Sequence, residues 1–326
     1  MMNCNDVIES NLLKRRFCKD TNLPISVVDN PYFKNRMDLF RHMYPDCWSN
    51  FGQFIYEVID FNNEQEYLAY YNEVKDKIIQ YITCNEQYKR FLESRFQTDE
   101  QHFPKSNIYS PMNVGKILYS IDMKKANFSA MHHFSSGIFN DCDTWEQFVS
   151  EFTNNKHIIN SKYIRQVVLG ACNPGRQIKY ETYLIKQLLN MLMSNMEIKV
   201  HSLAADEIIL EDTGNFEEIS KFISENSDLP LKTERFVLEE IHGTSGFVRT
   251  TQDGKTVFKC LDGNILPQVI RYYIGQEIEE ADLVFYYGNS LVRYMKPIDN
   301  PFITNRGKRS GTNVYDDSAA CSAVYT

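Results

Sequence analysis

The chain has 326 residues, 43% of them hydrophobic and 24% charged, and a formal net charge of −8. That length builds two or three packed subdomains in an ordinary globular protein. The acidic balance excludes a non-specific nucleic-acid coat, which is basic overall, but leaves room for a basic cleft inside an acidic shell.

The opening residues "MMNCNDVIESNLLKRRF" contain no apolar h-region, so no signal peptide is expected, and residues 1–60 are mixed and punctuated by proline. Residues 61–96 read as helical, because Tyr67, Tyr71, Val74, Ile78 and Ile82 recur on one face. Their spacing favours core packing over base stacking by these aromatics. The stretch "QTDEQHFPKSNIYSP" breaks the pattern and reads as a loop ending at Pro111. "VGKILYSID" is a short strand that ends on a lone carboxylate, Asp122. A buried strand tolerates such a group only with a partner or a metal.

After it, "TWEQFVSEF" reads as a helix capped by Asp143 or Thr144. "SKYIRQVVLGACNPGRQ" is a helix or strand that ends in an Asn-Pro-Gly loop, and "KYETYLIKQLLNMLMSNM" is a helix with Tyr180, Leu184, Leu188 and Met191 as its stripe. "EIKVHSLAADEIILED" is two short strands about a polar turn, "NFEEISKFISEN" a short amphipathic helix and "LKTERFVLEEI" a strand. "GFVRTTQDGKTVFKCL" is a hairpin turning at Asp253-Gly254, and "LPQVIRYYIG" opens a small C-terminal helical unit. The tail from about Asn305 has no periodicity and reads as disordered, with a basic cluster of Arg306, Lys308 and Arg309.

Eight cysteines are scattered with no C-x-x-C pair, which excludes a zinc ribbon and points to free thiols in a reducing, cytoplasmic compartment. No apolar run is long enough to span a bilayer, so no membrane partner is expected. "DGKT" at 253–256 is no P-loop, because Arg249 stands where its first glycine belongs. The adjacent His132 and His133 point in different directions, so at most one could join a metal site.

Three segments in order resemble the palm of right-hand nucleic-acid polymerases, above all the reverse-transcriptase and viral RNA polymerase group. "SIDMKKANFSAM" resembles the first palm motif, an Asp at a strand end. "GACNPGRQIKYETYLIKQLL" resembles the second, a Gly-containing loop that opens a long helix. "HSLAADEIIL" resembles the third, an acidic pair in a hairpin turn, and is similar also to a "VHDEI" segment of another DNA polymerase family. The resemblance spans roughly residues 115–260.

It implies an α+β fold: an antiparallel-sheet palm with flanking helices over 115–262, preceded by a mainly helical, fingers-like region over 1–114. A small thumb-like unit over 263–304 and the tail 305–326 complete the chain. It further implies two Mg²⁺ or Mn²⁺ ions on Asp122 and Asp206, with Glu207 beside them and Lys232 as the acid that protonates the leaving pyrophosphate. Asn127, or Phe128 if the register shifts by one, would line the sugar pocket. Gly175, Arg176 and Lys179 would approach the nucleotide at the helix start. The partners would be a primer-template and nucleoside triphosphates, with replication-complex proteins as further candidates. The competing expectation is a catalytically inactive palm relative, or another α+β binding protein, in a viral or phage replication complex.

Overall fold

The computed structural model describes residues 1–24, 30–96, 103–288 and 290–302. The expected tail beyond 304 lies outside them. The N-terminal third is helical: α1 (Cys4–Glu9), α2 (Asn11–Thr21), α3 (Tyr32–Phe40), α4 (Cys47–Val58), α5 (Glu64–Cys84) and α6 (Glu86–Glu93). In α5, Asn63 accepts the Glu66 amide at 2.9 Å as N-cap, and Glu64 and Glu66 sit in the first turn, where the helix dipole favours acids. Its predicted stripe is fully buried, Tyr67, Tyr71, Val74, Ile78 and Ile82 being 0–1% exposed. Each such side chain contributes roughly 1.5–3 kcal/mol by leaving water.

The second part is built on a six-stranded antiparallel sheet. Strand β1 (Ile117–Met123) is followed by helices α7 (Ala126–Phe134), α8 (Trp145–Ser150), α9 (Lys156–Asn160), α10 (Lys162–Ala171) and α11 (Pro174–Asn195). Then come the hairpin β2 (Val200–Leu203) and β3 (Glu207–Glu211), helix α12 (Phe216–Asn226), β4 (Leu231–Glu240), and the hairpin β5 (Phe247–Thr251) and β6 (Thr256–Lys259). The sheet order is β2-β3-β1-β4-β5-β6. Strands β1 to β4, with α11 and α12, thus form a split β-α-β-β-α-β unit in which β3 separates β1 from β2. Thr144 caps α8 in a reciprocal capping box with Gln147, which resolves the choice between Asp143 and Thr144. The β5–β6 turn has Gly254 at φ +80°, as the Asp-Gly pair requires.

Side-chain alternation gives the sheet two different faces. Tyr119, Ile121 and Met123 of β1 join Ile208 and Leu210 of β3 in one large core shared with α2, α4, α5, α7, α10, α11 and α12. The N-terminal helices therefore belong to the same core as the helices that back the sheet. On the other face Leu118, Ile209, Phe236 and Leu238 pack under Ile108 and Tyr109 from the segment leading into β1. The part of that face nearer Met123 carries Asp122, Glu207, Lys232 and Glu234.

A C-terminal unit of α13 (Leu266–Tyr273) and the hairpin β7 (Val284–Tyr287) and β8 (Ser290–Arg293) returns to the N-terminal helices. Leu39 and Phe40 of α3 pack on Leu266 and Ile270 of α13. Beside them Arg36, fully buried, donates to the Val284 carbonyl at 2.9 Å and lies 3.6 Å from Asp282, which also binds Arg271 at 2.9 Å. Burial lowers the Arg36 guanidinium to about 10 and raises the Asp282 carboxyl, so desolvation outweighs attraction for both charges. Removing one partner should therefore cost more than the pair contributes. Asp282→Asn is expected to lose about 3–5 kcal/mol of unfolding free energy, read by urea denaturation. A loss below about 1 kcal/mol would show that the network does not hold the two ends together.

Candidate active site

The site lies where β1 ends. Cα pairing sets Asp122 opposite Glu207 of β3 on one side and opposite Lys232 of β4 on the other. The β2–β3 turn closes tightly, the Ala204 amide donating to the Glu207 carbonyl at 2.9 Å, so Ala205 and Asp206 form its tip. The Met123 amide donates to the Asp206 carbonyl at 2.9 Å and ties this tip to the end of β1. Pairing alone thus brings Asp122, Asp206, Glu207 and Lys232 together, across 84 residues of intervening chain between the two aspartates (206 − 122).

Electrostatics marks the same place. The Asp122 carboxyl is pushed up to about 6, first by burial and then by the charges of Glu207 and Asp206, against the opposing pull of Arg249 and Lys232. Burial also raises Asp206. Glu181, on α11 and 6% exposed, is pushed up to about 7 by burial and by the charge of Asp206. Glu207 is steadied by the Ser120 hydroxyl, which donates to its Oε1 at 2.5 Å. Clustered acids whose shared charge is this poorly compensated are a recognised mark of functional sites.

The remaining candidates fall in different surroundings. Asn127 is half-buried in the first turn of α7, its Oδ1 accepting the Phe128 amide at 3.0 Å. Phe128 is 5% exposed, its ring 4.7 Å from Phe139 and 6.1 Å from Trp145. Of the two sugar-pocket candidates, Asn127 is the accessible one. Gly175 does not sit in a loop. Helix α11 starts at Pro174, with Asn173 in the left-handed region as N-cap, and this places Gly175 in the first helical turn, where an added Cβ would meet open space. Arg176 is engaged within the protein: it donates to the Phe91 carbonyl at 3.0 Å and to the Ser94 carbonyl, and lies 4.1 Å above the Phe96 ring. Lys179 is exposed. His133 bonds the Tyr180 hydroxyl at 3.1 Å, so local structure accounts for it.

Sequence reasoning passed over Glu181, Glu234 and Arg249. Glu181 had a signal: it falls among Gln177, Tyr180, Leu184 and Leu188, the buried stripe of α11, where an unpaired acid is costly. Glu234 and Arg249 meet only because β4 and β5 pair, which no local pattern announces.

The donor set suits a hard divalent cation. Mg²⁺ is usually held by one or two carboxylates completed by water and substrate phosphates, and Asp122 and Asp206 offer that number. Among the described residues no group of three or more His, Cys, Asp or Glu side chains forms a ready-made cage. No helix among them is long and apolar enough to cross a membrane, and the cysteines described are free. No protein-family model, curated protein or solved structure matches the chain.

The raised carboxyl of Asp122 has a consequence for stability. A folded-state value of about 6 against 3.8 means the native fold prefers the protonated acid. Its contribution is complete below about pH 4 and is lost as pH rises through about 6. Asp122→Asn escapes that loss. In metal-free buffer the variant is expected to match wild type near pH 4 and exceed it by about 1–2 kcal/mol above pH 7, after discounting for solvent screening. Urea denaturation across that range checks this, and a variant less stable than wild type at neutral pH would contradict it.

Proposed function

We propose that the chain is a nucleotidyltransferase of the two-metal kind. Within that class we read it as a template-directed nucleic-acid polymerase. One observation carries the reading: β-pairing sets Asp122 of β1 against the Asp206 turn of the β2–β3 hairpin, in a split sheet of order β2-β3-β1-β4. That is the arrangement the palm resemblance requires.

The chemistry asks for what this end of the sheet offers. In nucleotide addition the 3′-oxygen of a primer bonds to the α-phosphorus of a nucleoside triphosphate. The bond from that phosphorus to pyrophosphate breaks, one proton leaves the hydroxyl, and one is taken up by the leaving group. Mg²⁺ or Mn²⁺ ions, held by Asp122 and Asp206, would supply Lewis acidity to the attacking and leaving oxygens. Lys232, which pairs opposite Asp122, would deliver the proton to pyrophosphate. Asn127 offers a small polar group to the sugar, which suits recognition of a 2′-hydroxyl better than its steric exclusion. The free cysteines support a reducing compartment such as a cytoplasm.

Two observations favour a second reading. Lys232 is ion-paired with Glu234 at 2.6 Å rather than free, and Arg176 is engaged by the carbonyls of Phe91 and Ser94. This suits a catalytically inactive palm relative that acts by binding in a viral or phage replication complex.

Primer extension separates the two. With primed DNA and RNA templates, all four dNTPs or NTPs, and Mg²⁺ or Mn²⁺, wild type is expected to add nucleotides. Asp206→Asn should lose at least about 10³-fold, the equivalent of several kcal/mol of transition-state stabilisation. Lys232→Ala should lose about 10²–10⁴-fold. Chelating the metal should stop the reaction, and extension by Asp206→Asn at the wild-type rate would remove the assignment.

A further inference from the structure

On the face of the sheet that carries Asp122, two cations share one carboxylate. Lys232 Nζ lies 2.6 Å from Glu234 Oε1, and Arg249 donates to Glu234 Oε2 at 3.4 Å. Arg249 begins opposite Leu238 on β5, two rows further along the sheet. Its guanidinium lies over the Phe236 ring at 4.0 Å, which directs it along β4 toward Glu234 and the Asp122 end. The Arg249 Nε is buried and makes no hydrogen bond among the described residues. Tyr109 stands beside it, from the segment that crosses this face.

Lys232 pairs directly opposite Asp122, and Arg249 reaches Glu234 two residues from Lys232 on the same strand, so both cations lie on the face that carries Asp122. Their shared partner is a weak one. Lys232 is 43% exposed, so its half of the pairing contributes little to folding and is cheap to break. Glu234 and Arg249 are less accessible, 19% and 12% exposed, but the contact between them is long, at 3.4 Å. A diphosphate offers several charged oxygens where Glu234 offers two, and a guanidinium beside an ammonium matches it well.

We propose that Lys232 and Arg249 form a binding site for pyrophosphate, and that Glu234 is an internal anion which occupies the site until phosphate displaces it. The identity of the ligand rests on the nucleotidyltransferase reading; the paired cations and their internal competitor do not. Glu234 would hold both cations in place in the free protein and weaken product retention by competing for the same charges.

The test is calorimetric titration of inorganic pyrophosphate into the full chain, with no metal and no primer present. Glu234→Gln is expected to bind about tenfold tighter than wild type, by about 1.4 kcal/mol. The gain should shrink as salt is raised and vanish when Arg249→Gln is added. If that double variant fails a thermal-unfolding check, Lys232→Gln in the Glu234→Gln background replaces it. Binding by Glu234→Gln no tighter than wild type would overturn the proposal. So would an equal tightening toward a single-stranded oligonucleotide titrated in parallel, which would assign the cations to a strand backbone. Catalysis plays no part in this measurement. Tightening without primer extension would leave the anion site standing and sink the polymerase reading, whereas extension without tightening would overturn this proposal and leave the polymerase reading standing.

Discussion

The candidate site depends on β1 being paired on both sides. A strand with neighbours on each edge has no freedom of register, because a one-residue slip would send Tyr119, Ile121 and Met123 to the polar face and Asp122 into the helical core. The ladders from Leu118 to Asp122 against β3, and from Ile117 to Met123 against β4, hold that register over most of the strand. Three chain segments more than a hundred residues apart at their extremes therefore deliver their polar side chains to one spot. Apolar burial on the opposite face fixes the geometry, and the carboxylates are carried along by it.

Such a site is electrically unfavourable by itself. Asp122, Asp206 and Glu181 are all raised, and in each case burial is the first cause. Lys232 and Arg249 offset these acids only in part, because each is also engaged by Glu234. The arrangement keeps negative charge poorly compensated and positive charge held close by but in reserve. A fold optimised for stability alone would pair these groups with one another, and local rules are broken in this way mainly where function demands it. A divalent cation on the acids and a phosphate on the bases would complete both halves at once.

Much of the fold was legible because its elements are strongly periodic. The stripe of α5, the alternation of β2 and β3 about "AADE", and the Asp-Gly turn of the last hairpin are local signals, and each element stands where it was expected. Residues 1–60 were not legible. Their helices are short, capped by residues such as Asn3 and Ser10 that resemble loop residues, and stabilised by tertiary contacts: Phe17 packs on Phe51 and Phe54 at 4.9 and 5.5 Å. The loop expected at Gly175 failed for a related reason. Gly and Pro together read as a break, yet Pro174 at the first helical position starts α11 instead.

The site divides along the same line. Asp122 and Asp206 were visible because each interrupts an apolar pattern, and an interruption is a local event. Arg249 was invisible because its position is ordinary in every local respect: an alternating residue on a hairpin strand. What makes it part of the site is the length of its side chain laid across Phe236, combined with the pairing of β5 on β4. Glu181 falls between these cases. The sequence shows an acid inside a buried stripe, but only the fold shows that the stripe ends beside Asp206, so that this acid adds to the same field. Local pattern can find the residues that pay for function by breaking a rule, whereas the residues that tune them emerge only from three-dimensional pairing.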